Sequence, residues 1–483
     1  MCKKRAHVNP AKKCRLIGRT QIDMVMKEVF RLRILFADLP YQGQIEQNQS
    51  QKPWEQTTGW SCRWVTCSEA GEPPYVIVYR CLFTLNEALR VRIHVSGDER
   101  YELYLDHTRI GRGSERGDRS NWFYETYEVD IPAGEHQWIG RCWALGEYKP
   151  WAQISVQPGF LLSPDEVALA PLMGTGVAQW EAKPMPGYRF VPLPSSIGTG
   201  AKLDIDGASF DWEAMSGEGV GWFPAQPGEH VYHRTDNYHF STTQRLMRPA
   251  VLPAMHAVNI KPSTVRFVEQ AGILESGGQP IDASRDLIEE HEQWNGLLIG
   301  QPLYMPAHTR RRVILDLDDY YCFYPELVVS GGKGAVIQLH WEETLYDEAD
   351  GGRKTNRNDI EGKWFKGYGD TFRPDGGLGR QFETLWWHAG RYGELIVETK
   401  SEGLYLNEFR LQETRYPLEM EGFIHSSDER LNQVMTKSFR TLQMCAHETY
   451  MDCPYWEQLM YVGDTTYSVA GYLREYARRS ITT

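Results

Sequence analysis

His447-Glu448-Thr449-Tyr450-Met451-Asp452-Cys453-Pro454-Tyr455-Trp456-Glu457-Gln458-Leu459-Met460-Tyr461-Val462-Gly463-Asp464 gathers four carboxylates, one histidine and four aromatic rings into eighteen residues. It sits at the join between two kinds of sequence. Upstream, Leu89 to Val95 and Arg100 to Asp106 alternate apolar and polar residues, the period of half-buried strands, and Tyr75 to Tyr79 is a short apolar run. From Ser426 onward, Leu431, Val434, Met435, Phe439 and Leu442 recur at helical spacing. The join therefore predicts a multidomain, mainly β chain of antiparallel, jelly-roll-like sandwiches, followed by helices.

Working outward, Ser426 with Glu429 three residues on reads as a capping box for a helix running to about Glu448, which Pro454 bars from continuing. Asp464 is placed to cap a second helix through Tyr467, Ala470, Leu473 and Tyr476. Ala335 to Trp341 reads as a strand, and the glycine run at 331–334 before it is a turn without Walker spacing. The polar, glycine-rich insert from Asp350 to Gly379 is long for a loop and predicts a binding or covering role. The expected division is a basic segment 1–70, a β-sandwich 71–160, a β-rich region with long loops 161–310, a second β-sandwich 311–415, and a helical part 416–483.

The 483-residue length suits several domains, and a formal charge of −12 argues against a nucleic-acid partner. The charge is uneven, because residues 1–33 hold ten Lys or Arg against two acids and carry +8, leaving −20 for the rest. Asp23, Lys27, Glu28, Arg31 and Arg33 interrupt the apolar stretch Ile22 to Phe36, so it is no secretory signal core, and no window reaches membrane-span length. Nine scattered cysteines do not form a disulfide pattern. A cytoplasmic location and no membrane partner are expected.

Glycoside cleavage requires one protonated and one ionised carboxyl group, with polar and aromatic side chains to hold the sugar. Asp452, Glu457 and Asp464, with Trp456 and Tyr461 between them, supply those residue types on a non-helical stretch. Taken singly, Asp464 is equally a helix cap, Asp452 a turn acid and Glu457 a surface acid. A zinc protease is excluded by spacing, since the second histidine of H-E-x-x-H would fall at Met451. The acids at Asp98, Glu99 and Asp118 show no calcium-ligand spacing, so no metal or cofactor is expected.

The run Cys445 to Leu459, with Tyr461-Val462-Gly463-Asp464-Thr465 after it, resembles the signature of bacterial α-L-rhamnosidases of glycoside hydrolase family seventy-eight. Glu361-Gly362-Lys363, Gly367-Tyr368, Asp370 and Leu385-Trp386-Trp387 resemble the sandwich that precedes their catalytic domain, and Arg415 to Glu419 resembles the connection into it. Arg100 to Leu105 with Ile110 to Gly113 also has the family's look. The resemblance implies that Glu457 is the general acid, that Asp452 and Asp464 hold the sugar, and that Trp456 and Tyr461 contact it. Thr466 departs from an arginine common among similar members.

The same resemblance implies an inverting mechanism, and a general base far downstream in an (α/α)6 barrel of which only the first helices are present. The base is then expected beyond Thr483, and the chain reads as a truncated rhamnosidase acting on rhamnose-containing glycosides or oligosaccharides, poorly active by itself. The alternative expectation is a non-catalytic carbohydrate-binding β-sandwich protein with a vestigial helical tail.

Overall fold

A computed structural model of the chain describes residues 30–35, 60–233, 245–260, 264–272, 279–349, 352–422 and 425–465. These are mainly β and form three extended sheets of eight, six and eleven strands. The eight- and six-stranded sheets face each other. Ile93, Val95, Val129 and Phe160 from one interdigitate with Ile77, Tyr79, Leu103 and Trp138 from the other. The opposite face of the six-stranded sheet contributes Val76, Val78, Ile139 and Trp143 to the core of the eleven-stranded sheet, beside Val313, Leu339 and Trp341. Burial on both faces is why Tyr75–Leu85 opens with an uninterrupted apolar run.

The same stacking corrects the half-buried reading of Arg100–Leu105. Its charged positions are buried too, Arg100 and Glu102 being 3% and 1% exposed. Glu102 accepts from Arg112 Nε at 2.7 Å and Arg141 Nε at 2.8 Å, so ion pairs rather than water satisfy the polar face.

In the eleven-stranded sheet the long strand Arg310–Gly331 pairs antiparallel with both His388–Glu398 and Leu404–Arg415. Gly331 and Gly332 at φ 74° and 71° turn the chain toward Val336–Glu342, as the sequence predicts. A Cβ on Gly332 would stand 2.5 Å from the Leu404 side chain. The 350–379 insert is not all loop. Its later part is the strand Tyr368–Arg373, antiparallel to Val336–Glu342 and parallel to Lys202–Asp206, while residues 350–351 lie outside the described residues.

The helix spans Glu429–Met444 and ends a turn earlier than expected. Its cap is Asp428, whose carboxylate accepts from Arg430 N at 3.0 Å, whereas Ser426 Oγ accepts from Asp428 N just ahead of it. Leu431 and Val434 of its apolar stripe are 54% and 56% exposed, while Phe439 and Leu442 are half-buried. A second helical stretch begins at 462–465 and contains Asp464 rather than being capped by it. Tyr467, Ala470, Leu473 and Tyr476 lie outside the described residues, as does Thr466. After the β regions, the described residues thus hold one long helix and one further helical turn. None of their helices is long and apolar enough to cross a membrane.

Of the basic head, Arg31–Ile34 pairs with Trp122–Ile131 in the eight-stranded sheet, and residues 1–29 lie outside the described residues. Cys62, Cys67, Cys81, Cys142, Cys322, Cys445 and Cys453 are free thiols.

Candidate active site

Beyond Met444 the chain folds into a tight loop closed by its own backbone. Met451 N donates to Cys445 O at 2.8 Å, Asp452 N to Leu459 O at 3.0 Å and Gln458 N to Cys453 O at 2.9 Å. Gln458 adopts φ 54°, and Ala446 and Tyr450 form an isolated antiparallel bridge. Pro454 prevents helix here, and the crossed backbone bonds supply the regularity a helix would have given.

Every β region contributes to holding this loop. Met444, Met451 and Tyr455 pack with Cys322, Tyr324 and Trp387 in a small core of their own. Tyr455 donates its hydroxyl to Trp341 O at 2.9 Å, Trp386 Nε1 donates to Gln458 Oε1 at 2.6 Å, and Tyr368 donates its hydroxyl to Tyr455 O. Arg116 Nη1 reaches Gln458 O at 3.2 Å, and Gly198 N donates to Trp456 O at 2.7 Å.

His447 and Glu448 belong to this scaffold. His447 is buried, stacks on Trp387 with centroids 5.0 Å apart, and lies 2.9 Å through Nε2 from Thr414 Oγ1. Burial pushes its pKa down to about 3, so it stays neutral. Burial alone would raise the Glu448 carboxyl, but Arg100 and Arg116 outweigh it and hold the value at about 2. Sequence reasoning gave neither Arg100 nor Arg116 a role at this loop. Arg100 sits in the alternating run read as a half-buried strand, and nothing local to Arg116 signals a partner more than three hundred residues away.

Asp452 and Glu457 stand apart from the scaffold. One oxygen of each, with Cys453 Sγ, lies within 4.8 Å of the others. Asp452 is exposed and Glu457 half-buried, with a buried Oε2 that has no hydrogen-bond partner. The Tyr461 phenol is raised above its ordinary pKa chiefly by hydrogen bonding to Glu457. Burial pushes the Cys453 thiol up to about 12 although the Trp456 and Glu457 amides bond to it, so it keeps its proton. A cation bound by these three would have to displace that proton and compete with both amides, which disfavours the group as a metal site.

Trp456 borders the pair, its Nε1 donating to Glu343 Oε2 at 3.3 Å. Lys354, from the 350–379 insert, donates to the same Oε2 at 2.8 Å and lies 5.8 Å from the Trp456 ring centroid. Glu343 and Lys354 were not singled out from sequence, since only the fold sets the insert beside the loop. Of the sequence-predicted residues, the structure brings Asp452, Glu457 and Tyr461 together with Trp456 alongside. Asp464 is exposed on 462–465, outside the three-residue group.

Stacked antiparallel β sheets followed by a helix give a mainly β fold of the kind seen in solved glycoside hydrolases. The particular likeness is to α-L-rhamnosidases. The family seventy-eight rhamnosidase of Bacillus sp. GL1 superposes with a TM-score of 0.66 at 13% identity, over 85% of this chain and 61% of that one. The α-L-rhamnosidase from Dictyoglumus thermophilum gives 0.51 at 16% identity, over 84% and 41%. That from Aspergillus terreus gives 0.50 at 13% identity, over 82% and 41%. At such identities the likeness is one of fold, and the chain spans 61% of the first structure and 41% of the other two. No family model and no curated protein sequence matches the chain.

Proposed function

We propose that the chain carries the acid half of an α-L-rhamnoside-cleaving site, with Glu457 as general acid and Asp452, Asp464, Trp456 and Tyr461 holding the sugar. The observation that carries this reading is the close pairing of Asp452 and Glu457 on a loop clamped by both β regions, in a fold shared with rhamnosidases. Glu457 presents a buried oxygen with no protein partner, as a group that delivers a proton to a leaving oxygen must.

The pairing also limits roles. Inverting glycosidases hold acid and base about 6.5–9.5 Å apart so that water fits opposite the leaving group. Asp452 and Glu457, with oxygens within 4.8 Å, are too close for that division, so in this reading Asp452 is not the base and is kept as a sugar ligand. The reading gives the base to no described residue.

The test is hydrolysis of a chromogenic α-L-rhamnoside alongside binding of L-rhamnose. Glu457→Gln should abolish any turnover and leave binding within about twofold, while Asp452→Asn should weaken binding. Turnover surviving in Glu457→Gln, or no rhamnose binding by a folded chain, overturns the assignment.

A further inference from the structure

Trp151 is 47% exposed, whereas every other described tryptophan is buried or half-buried. Of the half-buried ones, Trp212, Trp222 and Trp386 each lie under an arginine. A single exposed aromatic ring is ordinary by itself. What distinguishes Trp151 is where the backbone holds it.

It sits in a turn after the strand Gly134–Ala144, closed by Gln153 N donating to Pro150 O at 2.9 Å. Trp151 N donates to Gly198 O at 2.9 Å, which ties the turn to segment 198–200. That segment accepts the turn because Gly198 and Gly200 have no side chains. A Cβ on Gly198 would overlap the Trp151 ring, and one on Gly200, at φ 83°, would stand 2.9 Å from the Pro150 ring. The indole therefore lies on the Gly198 backbone. Gly198 N in turn donates at 2.7 Å to Trp456 O, the carbonyl of the peptide that joins Trp456 to Glu457. One glycine thus separates an exposed indole, supplied by the first sandwich, from the backbone of Glu457.

We propose that Trp151 is the stacking platform for the leaving group of the glycoside, so that the site prefers rhamnosides whose leaving group is a flat ring, aromatic or pyranose. This rests on the assignment of Glu457 as general acid. The acid delivers its proton to the oxygen joining rhamnose to the leaving group, so the leaving group has to lie beside Glu457. A ring there reaches the indole, and stacking adds affinity that rhamnose alone does not gain.

The experiment measures calorimetric binding to the whole chain carrying Glu457→Gln, so that no ligand is cleaved. The ligands are L-rhamnose, methyl α-L-rhamnoside, 4-nitrophenyl α-L-rhamnoside and an α-L-rhamnosyl-glucose disaccharide. The aryl glycoside or the disaccharide should bind about fivefold tighter than the methyl glycoside, the two arms separating an aromatic from a pyranose leaving group. Adding Trp151→Ala should remove that advantage and leave the methyl glycoside within about twofold, while Trp151→Phe, which keeps a ring, should retain most of it. An advantage that survives Trp151→Ala, no advantage over the methyl glycoside at all, or an equal loss for every ligand overturns the proposal. A folded chain that binds none of the four overturns the assignment of the site itself, and this proposal with it.

Discussion

Arg100 and Glu448 are 348 positions apart in sequence and meet as a buried pair, Arg100 Nη1 donating to Glu448 Oε2 at 2.9 Å. The second Nη donates to the other carboxylate oxygen, giving the two-pronged geometry that guanidinium and carboxylate share. Through this pair the first sandwich holds the end of the carboxylate loop that leaves the helix, and the Arg100 guanidinium lies 4.7 Å over the Trp386 ring of the second β region. The loop is thus positioned by domains far from it in sequence.

Arg100→Met leaves Glu448 buried with Arg116 as its remaining partner, and the loss should be about 3–5 kcal/mol in urea unfolding. With its carboxyl held at about 2, below the unfolded value of about 4.3, Glu448 contributes stability that is complete above pH 4.3 and lost as pH falls toward 2. Glu448→Gln should therefore flatten the acid limb of the stability profile. A loss under about 1 kcal/mol in Arg100→Met would show that the pair is no clamp.

Glu342 has the opposite sign. Burial raises its carboxyl to about 7, against two weaker hydrogen-bond contributions from Glu343 N and the Tyr455 hydroxyl. Its contribution is complete below the unfolded value and is lost as pH rises through 7. Glu342→Gln should stabilise the chain at pH 8 relative to pH 5 by about 1–3 kcal/mol, measured by thermal unfolding at both pH values. An equal effect at both would place the Glu342 carboxyl near its ordinary value.

Tyr461→Phe removes the hydrogen bond to Glu457 without changing the ring. Loss of one such bond is about 1 kcal/mol, so rhamnose binding or turnover should fall about fivefold. Stability should stay within about 0.5 kcal/mol because Tyr461 is exposed. A loss of folding with no change in binding would move Tyr461 from the site to the scaffold.

Leu431 and Val434 present an apolar stripe to solvent on Glu429–Met444. Such faces favour association. Leu431→Lys with Val434→Lys should shift the chain toward monomer in sedimentation velocity and change stability by less than about 0.5 kcal/mol. Unaltered sedimentation would show that the stripe makes no contact between copies.

By itself the sequence was enough to read the strand periods from Tyr75 onward, the turn at Gly331 and Gly332, and a cluster of acids and aromatic rings after a helix. These are local properties, since side-chain alternation and glycine φ depend on neighbouring residues. The tertiary structure decided which acids are held in buried ion pairs and which are not. Glu448 and Glu457 look alike in the sequence, but one meets Arg100 and Arg116 from another domain and the other faces Asp452 and Tyr461. It also buried the polar side of Arg100–Leu105, which alternation had placed in water. Periodicity tells that two faces differ, but not what covers the polar one, because ion pairs over hundreds of residues are set by how sheets stack.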